Sequence, residues 1–125
     1  MKVKELMKKA LVVDRDVSLQ EAADIMSKKG IGSLLYVDGE NKIKGIITEG
    51  DLIKNFEKKE NISKAMSVSV ITVEPSASLE EALEIMKDNK VKRLPVVEKG
   101  ELQGIITMTD LAANADELEG DFFFD

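Results

Sequence analysis

The segment that decides the fold is Gly45-Ile46-Ile47-Thr48-Glu49-Gly50-Asp51, which returns 59 positions later as Gly104-Ile105-Ile106-Thr107-Met108-Thr109-Asp110. A second pair of segments, Ser18-Leu19-Gln20-Glu21-Ala22 and Ser78-Leu79-Glu80-Glu81-Ala82, repeats at an offset of 60. A duplication of this length indicates two copies of one supersecondary unit. Most features of the chain are therefore interpreted in pairs.

The composition excludes several classes of chemistry. The 125-residue chain contains no cysteine and no histidine, which excludes thiol chemistry, histidine-based catalytic triads and the usual zinc sites. Its net charge of −6 disfavours nonspecific binding to nucleic acid duplexes, and one tyrosine without tryptophan provides little for stacking on single strands. An all-carboxylate metal site or a lysine-based mechanism remains open.

The sequence predicts neither a membrane anchor nor an export signal. No apolar run approaches the about 20 residues that a spanning helix needs. The N-terminal sequence Met1-Lys2-Val3-Lys4-Glu5 leads into no apolar signal core. We therefore expect a cytoplasmic protein.

Each copy is predicted to follow the order strand, helix, strand, strand, helix. Short β-rich runs at residues 11–13 and 70–73 precede helices that begin at Ser18 and Ser78, each with a glutamate three residues later as in a capping box. A hairpin and a final helix follow, so the predicted fold class is mixed α/β of the α+β type. The predicted boundaries are 1–56 for the first copy, 57–61 for a charged linker, 62–114 for the second copy and 115–125 for an acidic tail.

The tandem unit, with a Gly-Ile-Ile-Thr-x-x-Asp ending in both copies, resembles the CBS domain, which is named for cystathionine β-synthase. The leads Leu6-Met7 and Ala65-Met66 and the segment Arg93-Leu94-Pro95-Val96-Val97 also resemble that family's pattern. The resemblance covers about residues 3–113. It implies two tandem β-α-β-β-α CBS units packed with pseudo-twofold symmetry, a pair called a Bateman module.

This resemblance implies a regulatory function. CBS pairs generally bind adenosine-containing ligands such as AMP, ADP, ATP or S-adenosylmethionine in the clefts between the repeats, and they modulate a partner protein. For this chain the resemblance implies a stand-alone module without catalytic activity that forms a homodimer. It also implies a small-molecule regulatory ligand, no further cofactor, and a regulated protein partner.

Thr48 with Asp51 and Thr107 with Asp110 are the strongest candidates for ligand-binding residues. A strand that runs into a helix start presents free backbone N–H groups suited to a phosphate, and a threonine adds a hydroxyl donor. An aspartate in the first turn offers two acceptor oxygens that match the vicinal hydroxyls of a ribose. The same Thr-x-x-Asp spacing is also a helix-capping pattern, so a purely structural role remains open.

Further binding residues follow from the resemblance. Lys92 and Arg93 precede the middle strand of the second copy, where the family often carries basic residues that meet phosphates. The first copy has Gly32 and Ser33 at these positions, so we expect two clefts that are not equivalent. Residues of the first strands are expected to flank an adenine ring, although they would also suit core strands. The additional candidates are Lys92, Arg93, Pro95, Ile71, Thr72, Leu11, Val12 and Ser33.

Two other functions and the tail also remain open. The repeats could form a structural dimerisation or interaction module in which both Thr–Asp pairs act only as caps. An enzyme that uses carboxylates and Mg²⁺ is disfavoured, because the sequence shows no carboxylate cluster beyond the capping acids. The three phenylalanines at 122–124 predict either a mobile terminus or, as we favour, a segment that packs against the dimer partner.

Overall fold

The fold is mixed α+β, as predicted, and the computed structural model describes residues 1–118. The strands are β1 (Val12–Val13), β2 (Ser33–Val37), β3 (Ile43–Thr48), β4 (Arg93–Glu98) and β5 (Glu101–Thr107). The helices are α1 (Val3–Leu6), α2 (Leu19–Lys29), α3 (Glu49–Lys54), α4 (Leu79–Asn89) and α5 (Met108–Ala113), with 3₁₀ turns at Ile62–Lys64 and Ala115–Glu117. The phenylalanines at 122–124 lie outside the described residues.

The long helices α2 and α4 each begin at a serine cap. The Ser18 hydroxyl accepts the Glu21 amide at 3.0 Å, and the Ser78 hydroxyl accepts the Glu81 amide at 3.1 Å. Only this half of the predicted capping box forms in either helix, and in α2 the Glu21 carboxylate pairs with Arg15 at 2.6 Å instead. One apolar stripe of each helix is buried, as the spacing predicts. The buried stripes are Leu19, Ala22 and Met26 in α2 and Leu79, Ala82, Leu83 and Met86 in α4.

The two hairpins share one register. In the first, β2 and β3 are antiparallel with Leu35 opposite Ile46, and in the second, β4 and β5 are antiparallel with Pro95 opposite Ile105. Within residues 1–118, only the first hairpin has a third strand, since β1 lies parallel to β2. The Leu35 amide donates to the Leu11 carbonyl at 2.9 Å in this ladder.

Pro95 explains why the second repeat has no counterpart of β1. A proline has no N–H to donate at the position where Leu35 donates in the first repeat. The strand predicted at residues 70–73 is therefore reduced to a single parallel bridge between Val73 and Val96. The prediction of a short strand was wrong there for this reason.

The chain divides into two compact units that do not follow the order of the repeats. The first unit is Ala10–Val70, and the second unit joins Met1–Lys9 to residues 71–118 among those the structure describes. The lead of each repeat, which is residues 1–9 in the first repeat and 62–70 in the second, therefore packs in the unit that holds the other repeat's helices and hairpin. The boundaries predicted from the sequence follow the repeats, so they differ from the boundaries of the two compact units.

Each unit has its own cluster of buried apolar side chains, and each cluster includes a lead residue. Val3 is 0% exposed in the second unit and Ile62 is 1% exposed in the first. The Val3 amide donates to the Ala77 carbonyl and the Ile62 amide to the Val17 carbonyl, both at 2.9 Å. Burying one such side chain contributes about 1.5–3 kcal/mol, so the leads are integral parts of the units that they join.

A short antiparallel bridge fixes each lead against the last strand of its unit. Lys8 exchanges two backbone hydrogen bonds of 2.9 Å with Ile105 on β5. Ser67 exchanges two bonds of 3.0 Å with Ile46 on β3. Lys8 and Ser67 therefore occupy equivalent positions, 59 residues apart, on equivalent strands.

A glycine lies beneath each crossing lead. A Cβ atom on Gly104 would lie 2.7 Å from the Lys8 backbone oxygen, which is closer than real Cβ contacts. A Cβ atom on Gly45 would instead meet the flexible side chain of Met66. The lead approaches the strand so closely that both repeats need a glycine there. A larger residue would have to displace backbone at Gly104, but only a flexible side chain at Gly45.

We predict that Gly104→Ala destabilises the protein more than Gly45→Ala. The new methyl group at residue 104 forces the Lys8 backbone off β5, at a cost of about 1–3 kcal/mol, whereas Met66 can change rotamer. Urea unfolding of both variants measures the difference. Equal losses of unfolding free energy would contradict the distinction between a backbone and a side-chain obstacle.

Candidate functional site

The first candidate site is built on a complete capping box where β3 runs into α3. Asp51 Oδ2 accepts the Thr48 amide at 2.9 Å and the Thr48 hydroxyl at 3.0 Å. The Thr48 hydroxyl oxygen in turn accepts the Asp51 amide at 3.4 Å. Three bonds therefore fix the carboxylate at the junction of the strand and the helix.

The second candidate site repeats this arrangement where β5 runs into α5. Asp110 Oδ2 accepts the Thr107 amide and the Thr107 hydroxyl, both at 2.9 Å, and the hydroxyl oxygen accepts the Asp110 amide at 3.2 Å. The capping role is thus confirmed in both repeats. It uses the hydroxyl proton of each threonine, and it engages only one of the two oxygens of each aspartate.

The other carboxylate oxygen, Oδ1, distinguishes the two repeats. Asp110 Oδ1 lies 2.8 Å from the Lys8 ammonium nitrogen. Asp51 Oδ1 has no hydrogen-bond or ion-pair partner among residues 1–118. Asp110 is only 5% exposed, whereas Asp51 is half-buried. Asp51 Oδ1 can therefore accept a further hydrogen bond. Asp110 Oδ1 is already paired with Lys8.

The pKa of Asp110 reflects this environment. Burial raises the pKa of the carboxyl, but the bonds from Lys8 and from the amide and hydroxyl of Thr107 together outweigh burial. The net effect holds the pKa of Asp110 below its ordinary value. Asp110 is therefore an anion near neutral pH, held by donors on two separate segments of its unit.

Ser33 and Arg93 lie directly beside the two capping boxes. In the antiparallel ladders Ser33 pairs with Thr48 and Arg93 pairs with Thr107. Ser33 is 5% exposed and Arg93 is half-buried. The register thus brings together the threonine, the aspartate and the residue at the start of the middle strand in each unit.

Two further second-unit candidates are Lys92, directly before β4, and Pro95 on β4. The Lys92 carbonyl accepts the Met108 amide at 2.8 Å at the start of α5, and its side chain is exposed. Pro95 is buried, and its carbonyl accepts the Val73 amide at 3.0 Å. The backbone of Lys92 therefore contacts the start of α5, whereas Pro95 shapes the sheet.

The first-strand candidates divide into core and surface residues. Leu11 and Ile71 pack against the buried clusters of their units, as the alternative core interpretation expects. Val12 is 43% exposed and lines a groove of about 510 Å³ in the first unit. Thr72 is exposed and lines a groove of about 380 Å³ in the second unit. Neither of these two grooves includes Thr48, Asp51, Thr107 or Asp110.

The sequence interpretation missed Lys8 and the two asparagines that close the short helices. Asn55 donates to the Asp51 carbonyl at 2.7 Å, and Asn114 donates to the Asp110 carbonyl at 2.9 Å. The asparagines recur at the 59-residue offset, so a comparison of the two repeats could have found them. Lys8 precedes the first repeat's strand and carries no signal that would link it to Asp110.

Other kinds of site find no support in the part of the chain that the structure describes. Within residues 1–118, no three or more acidic side chains are grouped so that they could hold a metal ion. Over the same residues, no helix combines the length and apolar character that crossing a bilayer requires.

We predict that Asp110→Asn lowers the free energy of unfolding by about 1–3 kcal/mol near neutral pH. The folded-state pKa of Asp110 is depressed, so its contribution is present above the unfolded-state pKa and is lost as pH falls through the folded-state value. Urea unfolding at about pH 7 and about pH 2 checks this sign. A difference between wild type and variant that stays constant across this range would contradict it.

Comparisons with known proteins identify the family. The family model for the CBS domain matches residues 3–58 and again residues 61–117. An inosine-5'-monophosphate dehydrogenase of Nitrosopumilus maritimus is 37% identical over 105 residues, which cover 83% of this chain but only 22% of that enzyme. The CBS domain-containing protein YhcV of Bacillus subtilis is 30% identical over 107 residues, which cover 82% of this chain and 76% of that protein.

A solved structure supports the same assignment. The CBS domain pair of protein MJ0100, crystallised with 5'-methylthioadenosine and S-adenosyl-L-methionine, superposes with a TM-score of 0.87 at 28% sequence identity. The match covers 93% of this chain and 96% of that one. With two family matches that cover nearly all described residues, this chain belongs to the CBS domain family as a tandem pair of CBS domains.

Proposed function

We propose that this chain is a regulatory module that binds an adenosine-containing small molecule at its two Thr–Asp ends and thereby modulates a partner protein. The observation that carries this proposal is the doubled capping box. In each copy the box immobilises an aspartate through Oδ2 and directs the remaining oxygen, Oδ1, away from the cap.

The geometry suits recognition of a ribose. A carboxylate oxygen accepts hydrogen bonds from hydroxyl groups, and ribose carries two adjacent hydroxyls. Because Asp51 is already held by the amide and hydroxyl of Thr48, little side-chain entropy is lost when a ligand binds its Oδ1. Thr48 and Thr107 therefore act as positioning residues, since their hydroxyl protons are donated to the aspartates.

Neighbouring residues supply the remaining contacts in this proposal. Lys92 and Arg93 in the second unit would bind phosphate or carboxylate groups of the ligand, because both are cationic and lie at the start of β4. Ser33 occupies the corresponding position in the first unit and offers a hydroxyl. The exposed residues Val12 and Thr72, at equivalent positions of the two repeats, would flank the adenine ring, with the partly buried Leu11 and Ile71 next to them in the chain.

The relatives support a ligand of this class. The MJ0100 pair was crystallised with two adenosine derivatives. The match to inosine-5'-monophosphate dehydrogenase covers 22% of that enzyme, as a module appended to a larger protein would. We extend this to a regulatory and non-catalytic role, with AMP, ADP, ATP or S-adenosylmethionine as candidate ligands, a homodimeric state and a cytoplasmic location.

A structural interaction module is the second candidate. It is favoured by Ile53 and Phe56, two large apolar side chains that are 71% and 75% exposed at and just beyond the end of α3. Such side chains mark interaction surfaces when they are adjacent. In this alternative both capping boxes only stabilise their helices, and no small molecule is needed.

We predict that Asp51→Asn weakens nucleoside binding at the first site by about 10- to 100-fold, because it removes the charge from the acceptor for the ribose hydroxyls. Titration calorimetry with AMP, ATP and S-adenosylmethionine measures this on protein verified free of bound nucleotide. Asp24→Asn is the matched control. Asp24 lies on α2 of the same unit, and its one partner among the described residues is the exposed Lys28, at 3.1 Å.

The two candidate functions give opposite outcomes in this experiment. Wild-type binding that Asp51→Asn weakens and Asp24→Asn leaves unchanged supports the sensing role. Absence of binding to each of the three ligands at millimolar concentration would leave the interaction module as the better account.

A further inference from the structure

The two candidate sites share one backbone frame but differ at a single contact. Lys8 and Ser67 each form a two-bond bridge to the equivalent isoleucine of β5 or β3. In the second unit the Lys8 ammonium reaches Asp110 Oδ1 at 2.8 Å. In the first unit the serine at the equivalent position makes no such contact, and Asp51 Oδ1 has no partner within residues 1–118.

This difference leaves Asp110 fully engaged by protein donors. Its Oδ2 accepts two bonds from Thr107, and its Oδ1 accepts the lysine. The carboxylate is 5% exposed, whereas the lysine side chain is 72% exposed. A ligand hydroxyl that approaches Asp110 therefore meets an oxygen that is already paired, and the group that must move is the exposed side chain of Lys8.

We propose that Lys8 is a specificity-determining residue that competes with the ligand for Asp110, so that the first site binds a neutral adenosine ligand before the second. This inference rests on the proposed function, since it concerns the order and selectivity of the same two sites. The second site becomes competent only when Lys8 leaves Asp110. If the ion pair is formed about 90% of the time, the apparent affinity falls about tenfold relative to the unpaired site.

The displaced lysine also selects among ligands. When Lys8 leaves Asp110, its ammonium stays close to the site because its backbone is fixed on β5. An anionic ligand such as AMP can then pair with it, whereas adenosine or 5'-methylthioadenosine cannot. The second site therefore favours anionic over neutral nucleosides more strongly than the first site does.

Ionic strength provides an independent signature. Salt weakens an ion pair whose cationic partner is exposed, so it releases Asp110 from Lys8. Binding of neutral 5'-methylthioadenosine at the second site should therefore tighten as salt rises, while its binding at the first site stays constant. Most polar interactions respond to salt in the opposite direction or not at all, which makes this response diagnostic.

The test is a nuclear magnetic resonance titration of the whole chain with 5'-methylthioadenosine. The amides of Gly50 and Thr109 lie in the first turns of α3 and α5, so each reports on one site. Lys8→Ser copies the first site's residue into the second, and Ser67→Lys makes the reciprocal change. Lys9→Ser is the matched control, because it removes the same charge from the adjacent exposed lysine.

We expect Lys8→Ser to tighten binding reported by Thr109 about tenfold and to abolish its salt dependence, with Gly50 unaffected. Ser67→Lys should weaken binding reported by Gly50 and should make that binding salt-dependent. Lys9→Ser should change neither site. Lys8→Arg should retain the weak second site, because arginine preserves the ion pair.

The outcomes separate this inference from the proposed function. Binding at both sites that Lys8→Ser and Ser67→Lys leave unchanged overturns the role of Lys8 and leaves the sensing function intact. An equal effect of Lys9→Ser also overturns it, since net charge would then explain the result. If wild type and all variants fail to bind either 5'-methylthioadenosine or AMP, both proposals fall together.

Discussion

The structure depends on a pair of backbone bridges that hold each lead across the last strand of a unit. Lys8 on Ile105 and Ser67 on Ile46 each contribute two hydrogen bonds of 2.9–3.0 Å. A side chain larger than hydrogen on the preceding residue would obstruct the lead, so the strand carries Gly104 or Gly45. Each repeat thus completes the unit that holds the other repeat's helices, which is why the compact units and the sequence repeats divide the chain differently.

The same bridges couple the fold to the candidate sites. Each crossing point lies five residues before an aspartate that caps the following helix. A lead residue at this crossing point can contact the aspartate if its side chain is long enough. Lys8 contacts Asp110, whereas the shorter Ser67 makes no such contact with Asp51. One duplicated frame therefore supports two chemically different ends. The sequence already indicated inequivalent sites through Gly32, Ser33, Lys92 and Arg93, but the strongest contrast involves a lead residue.

Local patterns predicted the local structure well. Serine caps, apolar stripes and glycine-containing turns specify α2, α4 and both hairpins. Each of these signals lies within or next to the element that it specifies, so the sequence alone predicts these elements.

Two features could not be predicted from local patterns. The strand expected at residues 70–73 does not form because Pro95, more than 20 residues away, has no backbone N–H to donate to it. The pairing of Lys8 with Asp110 joins residues 102 positions apart, and no periodicity or spacing encodes a contact of that range. The Thr–Asp ends were found because they occur twice, and Lys8 was missed because it occurs once.

The most direct test of these proposals is a crystal structure of the protein grown with millimolar 5'-methylthioadenosine. We predict that this neutral ligand binds at the first site, with a ribose hydroxyl about 2.5–3.0 Å from Asp51 Oδ1 and the Thr48–Asp51 capping bonds intact. A ligand bound elsewhere, or a structure at that concentration in which both aspartates contact only protein and water, would contradict the claim that the capping boxes present ligand-binding carboxylates.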